Sequence, residues 1–96
     1  MNSITVQDFQ LLLDNPVAIL DIREEGAFNE YHLPNAISVP TTSLPNYLEN
    51  LNQHTTYYVL SHSGRRSEII AQFLCSNGFN AVHVIGGMKA FKKEAA

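Results

Sequence analysis

The sequence predicts an α/β domain, a mostly parallel sheet of about five short strands flanked by helices. Three observations carry this. Short apolar runs alternate with stretches of helical spacing along the whole chain. Residues 17–22 (VAILDI) are almost continuously apolar, as a strand covered on both faces must be. Residues 57–78 read as a buried strand, a small polar loop and an amphipathic helix in immediate succession.

In chain order, Ile4 is a short edge strand. Thr5 and Asp8 resemble a capping box with Asp in place of Glu, and Phe9, Leu12 and Leu13 lie on one helical face behind it. Asn15-Pro16 stops that helix. The strand 17–22 follows, with Asp21 and Arg23 at its C-terminal end. Residues 24–31 form a short helix with acidic residues in the first turn, where the dipole favours them. Residues 32–35 turn the chain, and Ile37 and Val39 make a brief strand ended by Pro40. Ser43 caps a helical segment with Pro45 early in it and Leu44, Leu48 and Leu51 on its apolar face. After a polar connection, residues 57–60 (YYVL) form the central strand. From Ser67 a helix presents Ile69, Ile70, Phe73 and Leu74, and Asn77-Gly78 ends it in a residue that tolerates positive φ. Residues 81–85 are the last strand. Gly86-Gly87 turns into a final helix from Met88 to about Lys93, with lysines at its end.

Composition narrows the function. With 96 residues, 45% hydrophobic and 16% charged, the chain is one ordinary globular domain, 1–96. Net charge is −3, and the basic residues are Arg23, Arg65, Arg66, Lys89, Lys92 and Lys93. They form no broad basic face, which argues against nucleic acid as a partner. The one cysteine, Cys75, permits no intramolecular disulfide. His32, His54, His62 and His83 show no ligand-pair spacing within a helix, so neither a metal nor another cofactor is expected. The N-terminus lacks a signal pattern, and no apolar run reaches membrane-spanning length. The expected setting is the cytoplasm, without a membrane anchor.

The candidate site is the loop Ser61, His62, Ser63, Gly64, Arg65 and Arg66. A strand passing through a glycine-containing loop into a helix gathers backbone N–H groups at the positive end of the helix macrodipole, which makes an anion site. Two arginines add focused charge for a small anion. Asp21, Arg23 and Ser61 all fall at strand ends on one sheet edge, where such sheets bind ligands. Asp21 and Arg23 are expected to pair with each other and tie the strand end to its loop. His32 satisfies a turn. His54 and His83 are surface or packing residues. Gly86 and Gly87 make the turn before the last helix, and Phe91 is core. Cys75 falls off the Ile69/Ile70/Phe73/Leu74 face, beside Glu68 and Gln72. It lies nine residues past Arg66, roughly 13 Å along the helix axis, so a partly exposed structural thiol is expected there.

Four stretches then carry a family resemblance, in order. LDIRE at 20–24 looks like the Asp-x-Arg of single-domain rhodaneses. HLPNAISVP at 32–40 is similar to their His-Ile-Pro-Gly-Ala segment. SHSGRRS at 61–67 resembles their active-site loop Cys-x-x-Gly-x-Arg-Ser. VIGGMKAF at 84–91 resembles their closing Gly-Gly-x-x-x-Trp, with Phe91 for the tryptophan. The resemblance implies a three-layer rhodanese-like fold. It also implies a loop cysteine that takes sulfane sulfur from a donor such as thiosulfate and passes it on as a persulfide. In this chain Ser61 holds the cysteine's position. Arg66 would brace the loop or the bound anion, Arg65 would sit at the pocket rim, and Asp21, Arg23 and Ser67 would give structural support.

Three functions remain open. A thiosulfate sulfurtransferase fits the fold but not Ser61. It becomes the alternative if Ser61 is an engineered substitution for cysteine. A phosphatase would need a longer loop, Cys-x5-Arg, whereas four residues separate Ser61 from Arg66. A rhodanese-like module without catalysis fits every residue. Its pocket would bind a small anion such as thiosulfate, sulfate or chloride, or a sulfur-carrier or protein partner.

Overall fold

β2, Ala18–Asp21, shows why the strands form where they do. Its side chains alternate between two separate cores. Ile19 packs with Val6, Phe9, Leu60, Val84 and Met88 on one face of the sheet. Leu20 packs with Val39, Val59, Ala71 and Leu74 on the other. A strand buried from both sides has no polar face, which explains the unbroken apolar run. In the computed structural model, which describes residues 2–95, the other strands are β1 (Asn2–Ile4), β3 (Ala36–Ser38), β4 (Thr56–Leu60) and β5 (Asn80–Val84). They form one sheet in the order β1-β5-β4-β2-β3, with every pairing parallel. Met1 and Ala96, the ends of the expected 1–96 domain, lie outside the described residues.

Helices α1 (Val6–Leu12) and α5 (Gly87–Ala95) pack on one face. On the other face lie α3 (Leu44–Tyr47), flanked by 3-10 turns at Thr41–Ser43 and Leu48–Asn50, and α4 (Arg65–Ser76). α2 (Glu25–Glu30) buries none of its side chains. The result is three layers with a five-stranded parallel sheet in the middle. The chain runs from β2 outward to β3, then crosses to β4 on the other side of β2. The sheet therefore switches direction between β2 and β4, and a ligand crevice belongs at the C-terminal ends of these two strands.

Local signals account for most element ends. Thr5 caps α1, its Oγ1 accepting the Asp8 N–H at 3.2 Å. α4 ends in a Schellman motif at Gly78 (φ 88°). The Phe79 N–H reaches the Leu74 carbonyl at 3.0 Å, and the Gly78 N–H reaches that of Cys75 at 3.1 Å.

Four expectations are corrected. Ser43 makes no capping bond, because the chain already turns helically at Thr41, just past Pro40, and Ser43 itself has helical backbone angles. α4 begins at Arg65, two residues earlier than the apolar spacing suggests, with the left-handed Gly64 as its N-cap. Its buried stripe is Ser67, Ala71 and Leu74, with Ile70 beside it. Ile69 is 65% exposed and Phe73 39%. Small residues at 67 and 71 let the helix approach the sheet closely, so packing distance overrode hydrophobicity in choosing the face. Cys75 consequently lies at the margin of this core, its Sγ 3.6 Å from the Ala81 carbonyl oxygen. α5 also runs on to Ala95, so Lys92 and Lys93 fall within the helix.

The rotation of α4 predicts unequal costs. Leu74→Ala should destabilise the fold by about 2–5 kcal/mol. Ile69→Ala should stay within about 0.5 kcal/mol. Urea unfolding of the two variants measures the contrast.

Candidate functional site

The C-terminal end of β2 is held by a buried ion pair. Asp21 is fully buried and Arg23 nearly so. The carboxylate accepts Arg23 Nε at 3.0 Å and Nη2 at 2.8 Å, and also the Arg23 backbone N–H at 3.1 Å. Nη2 donates in addition to the Tyr31 carbonyl at 2.7 Å. The pair thus ties the strand end to the residue that closes α2. The guanidinium is occupied by these partners, in keeping with a bracing role.

β4 delivers Ser61 to the crevice. Ser61 is 3% exposed, and its Oγ points back under the start of α4. There it accepts the N–H groups of Gly64 at 3.0 Å and Ser67 at 3.3 Å, and donates to Ser67 Oγ at 3.1 Å. Gly64 has no side chain to cap the helix, so Ser61 does this from three residues upstream. Its backbone serves the second helix. The carbonyls of Ser61 and His62 accept the N–H groups of Met88 and Lys89, at 2.8 and 2.9 Å, in the first turn of α5. The close approach needs glycine on both sides. A Cβ on Gly87 (φ 62°) would collide with the Ser61 carbonyl oxygen and lie 2.7 Å from that of His62. A Cβ on Gly64 (φ 93°) would lie 2.7 Å from the Gly86 nitrogen.

The remaining loop residues open outward. His62, Ser63, Arg65 and Arg66 are exposed. Among the described residues, the backbone N–H groups of these four make no hydrogen bond. They surround the positive end of α4, a concentration of donors suited to an anion. Arg66, expected to brace the loop or a bound anion, makes no side-chain hydrogen bond or ion pair among the described residues. Arg65 lies on the rim of a groove of about 420 Å³ shared with Ser63, Gly64, Glu68, Ile69, His83, Ile85 and Gly86.

His83 is the residue that sequence reasoning underrated. It is 5% exposed, and its Nδ1 lies 2.7 Å from Ser67 Oγ, next to Ser61. The available signal was the period of two in β5, which places His83 on the face of Ala81, toward α4. His54 is exposed. His32 bonds the Phe28 carbonyl at 2.9 Å and stacks on the Phe28 ring, the local role expected of it.

Burial lowers the His83 pKa from the ordinary 6.5, and the Glu68 carboxylate opposes the shift. A histidine whose folded pKa is depressed stabilises the fold fully above its unfolded pKa. That contribution is lost as pH falls through the folded pKa. Stability should therefore decline as pH falls below about 6.5. His83→Gln, which cannot titrate, should flatten this part of the profile in thermal melts.

The sequence pattern described as the Rhodanese-like domain matches residues 5–94. The chain belongs to the rhodanese-like domain family. It is 34% identical over 77 residues to YrkF of Bacillus subtilis, named as a candidate sulfur carrier protein, covering 79% of this chain. The chain spans only 42% of YrkF's length. It is 31% identical over 85 residues to the thiosulfate sulfurtransferase GlpE of Tolumonas auensis, covering 88% of this chain and 80% of that protein. A crystal structure of a Staphylococcus saprophyticus protein superposes with a TM-score of 0.91 at 39% identity, covering 95% of this chain and 93% of that one.

Proposed function

We propose that this rhodanese-like domain uses the loop from Ser61 to Arg66 to hold a small anion, or the anionic end of a sulfur-carrier or protein partner, without turning over sulfane sulfur. The observation that carries this reading is the seating of Ser61 Oγ on the N–H groups of Gly64 and Ser67, ringed by exposed backbone donors at the start of α4. In a sulfurtransferase the group on that seat would be a thiolate. It would attack the outer sulfur of thiosulfate, forming a new S–S bond while sulfite leaves with the electron pair of the old one. A serine hydroxyl is a far weaker acid than a thiol and forms no persulfide. The seat fits the family chemistry, and its occupant does not.

Sulfur compounds are the favoured ligand class because relatives 34% and 31% identical to this chain are named as a candidate sulfur carrier and as a thiosulfate sulfurtransferase. Four residues between Ser61 and Arg66 match the shorter sulfur-type loop, which leaves a phosphatase without support.

Three measurements test the reading. The protein as it stands should release no thiocyanate from thiosulfate and cyanide above background. Thiocyanate release that survives Cys75→Ala would contradict a catalytically silent loop. Ser61→Cys alone should gain one sulfur atom on treatment with thiosulfate, read by intact-protein mass spectrometry, because the rest of the seat is present. Saturable binding of sulfate or thiosulfate, followed by shifts of the loop amides in NMR spectra, tests the anion site directly.

A further inference from the structure

Ser67 has one proton and two acceptors competing for it. Its Oγ lies 3.1 Å from the Gly64 carbonyl oxygen and 2.7 Å from His83 Nδ1, and it accepts the Ser61 hydroxyl at 3.1 Å. A hydroxyl donates once and accepts twice. When Nδ1 of His83 carries no proton, Ser67 donates to it. When Nδ1 carries one, it donates to Ser67, whose own proton is freed toward Gly64 or position 61. The three side chains are each at most 5% exposed, so bulk water does not short-circuit the chain. Ser61, Ser67 and His83 therefore form a hydrogen-bonded path with two proton arrangements.

We propose that His83 is a positioning residue for the loop, acting through Ser67: it takes up one proton whenever negative charge settles at position 61, and returns it when that charge leaves. The proposal rests on the reading of the loop as an anion site. With sulfate or thiosulfate bound, solvent supplies the proton to His83. Ser67 then accepts from His83 instead of donating to it. With cysteine at position 61, the thiol proton passes to Ser67 as the Ser67 proton passes to Nδ1. The products are a thiolate and an imidazolium, and no other bond changes.

The surroundings of His83 suit this use. From α4, Glu68 and Arg65 share its groove, and the Glu68 carboxylate favours the imidazolium. Ser63 and Gly86 line the same groove without charge, and the strand partners Ser3 of β1 and Val59 of β4 are uncharged. Depression of the His83 pKa keeps the imidazole neutral before an anion arrives. His62, exposed in the same loop, is replaced by Asn in the binding experiments.

The decisive test uses Ser61→Cys in a Cys75→Ala background. The rate of iodoacetamide alkylation against pH gives the pKa of the introduced thiol. His83→Gln should raise it by about one unit, the low end of the effect of a nearby opposite charge, slowing alkylation at neutral pH about tenfold. Added to Ser67→Ala, His83→Gln should have no further effect. An unchanged profile in His83→Gln would overturn the proposal, and so would an equal effect with and without Ser67, which would mean a field acting through space. Circular dichroism confirms folding of each variant. If His83→Gln does not fold, ring ¹⁵N shifts of His83 in the chain with Ser61 take its place. Nδ1 should be an unprotonated acceptor near neutral pH, and saturating sulfate should raise the His83 pKa, as coupling between two sites must be reciprocal. Sulfate that binds without moving His83 overturns the coupling. No sulfate binding at all overturns the anion-site reading, while the alkylation result still decides the proton path.

Discussion

The structure turns on the way Ser61 and its neighbour cap two helices at once. The Ser61 Oγ satisfies an N–H of α4, while the Ser61 and His62 carbonyls satisfy N–H groups of α5. These helices lie on opposite faces of the sheet. Each such cap is worth about 1 kcal/mol in isolation. Buried together they also fix where both helices start, because an unsatisfied N–H there would have no water to turn to. The loop is therefore a bracket between the two outer layers, and its shape follows from that structural duty.

Charge is placed around this bracket with a clear division. Among the described residues the one deeply buried cation, Arg23, is neutralised by Asp21 and spent on bracing β2 against α2. The exposed cations Arg65 and Arg66 sit at the mouth of the loop. β2 and β4 are neighbours, so the braced end and the open end of the crevice lie side by side at the point where the sheet changes direction. The buried pair is internally neutral, so the net positive charge at this edge of the sheet comes from the solvated rim.

The alternation of elements, the doubly buried β2, the Thr5 cap and the Gly78 stop were legible because each is a local pattern with a local cause. The passage from β4 through a glycine-containing turn into α4 was legible for the same reason, although the helix takes in Arg65 and Arg66. The facing of α4 was not. Hydrophobic spacing selected Ile69 and Phe73, but the close approach allowed by Ser67 and Ala71 turned a smaller-sided stripe inward. The role of His83 was hidden because its partner Ser67 lies sixteen residues away on another element. Arg66 is exposed and has no side-chain partner among the described residues, so of its two expected roles only contact with a bound anion is left to it.

The interlocked glycines make the two helix starts depend on each other. A Cβ on Gly87 would meet the carbonyls of residues 61 and 62, and a Cβ on Gly64 the backbone of Gly86. The whole of α4 and β5 separates the two partners along the chain. Their contact therefore closes a long loop, whose entropic cost must be met before the crevice has its final shape. A substitution at Gly87 would accordingly be felt on the far side of the sheet, at the start of α4.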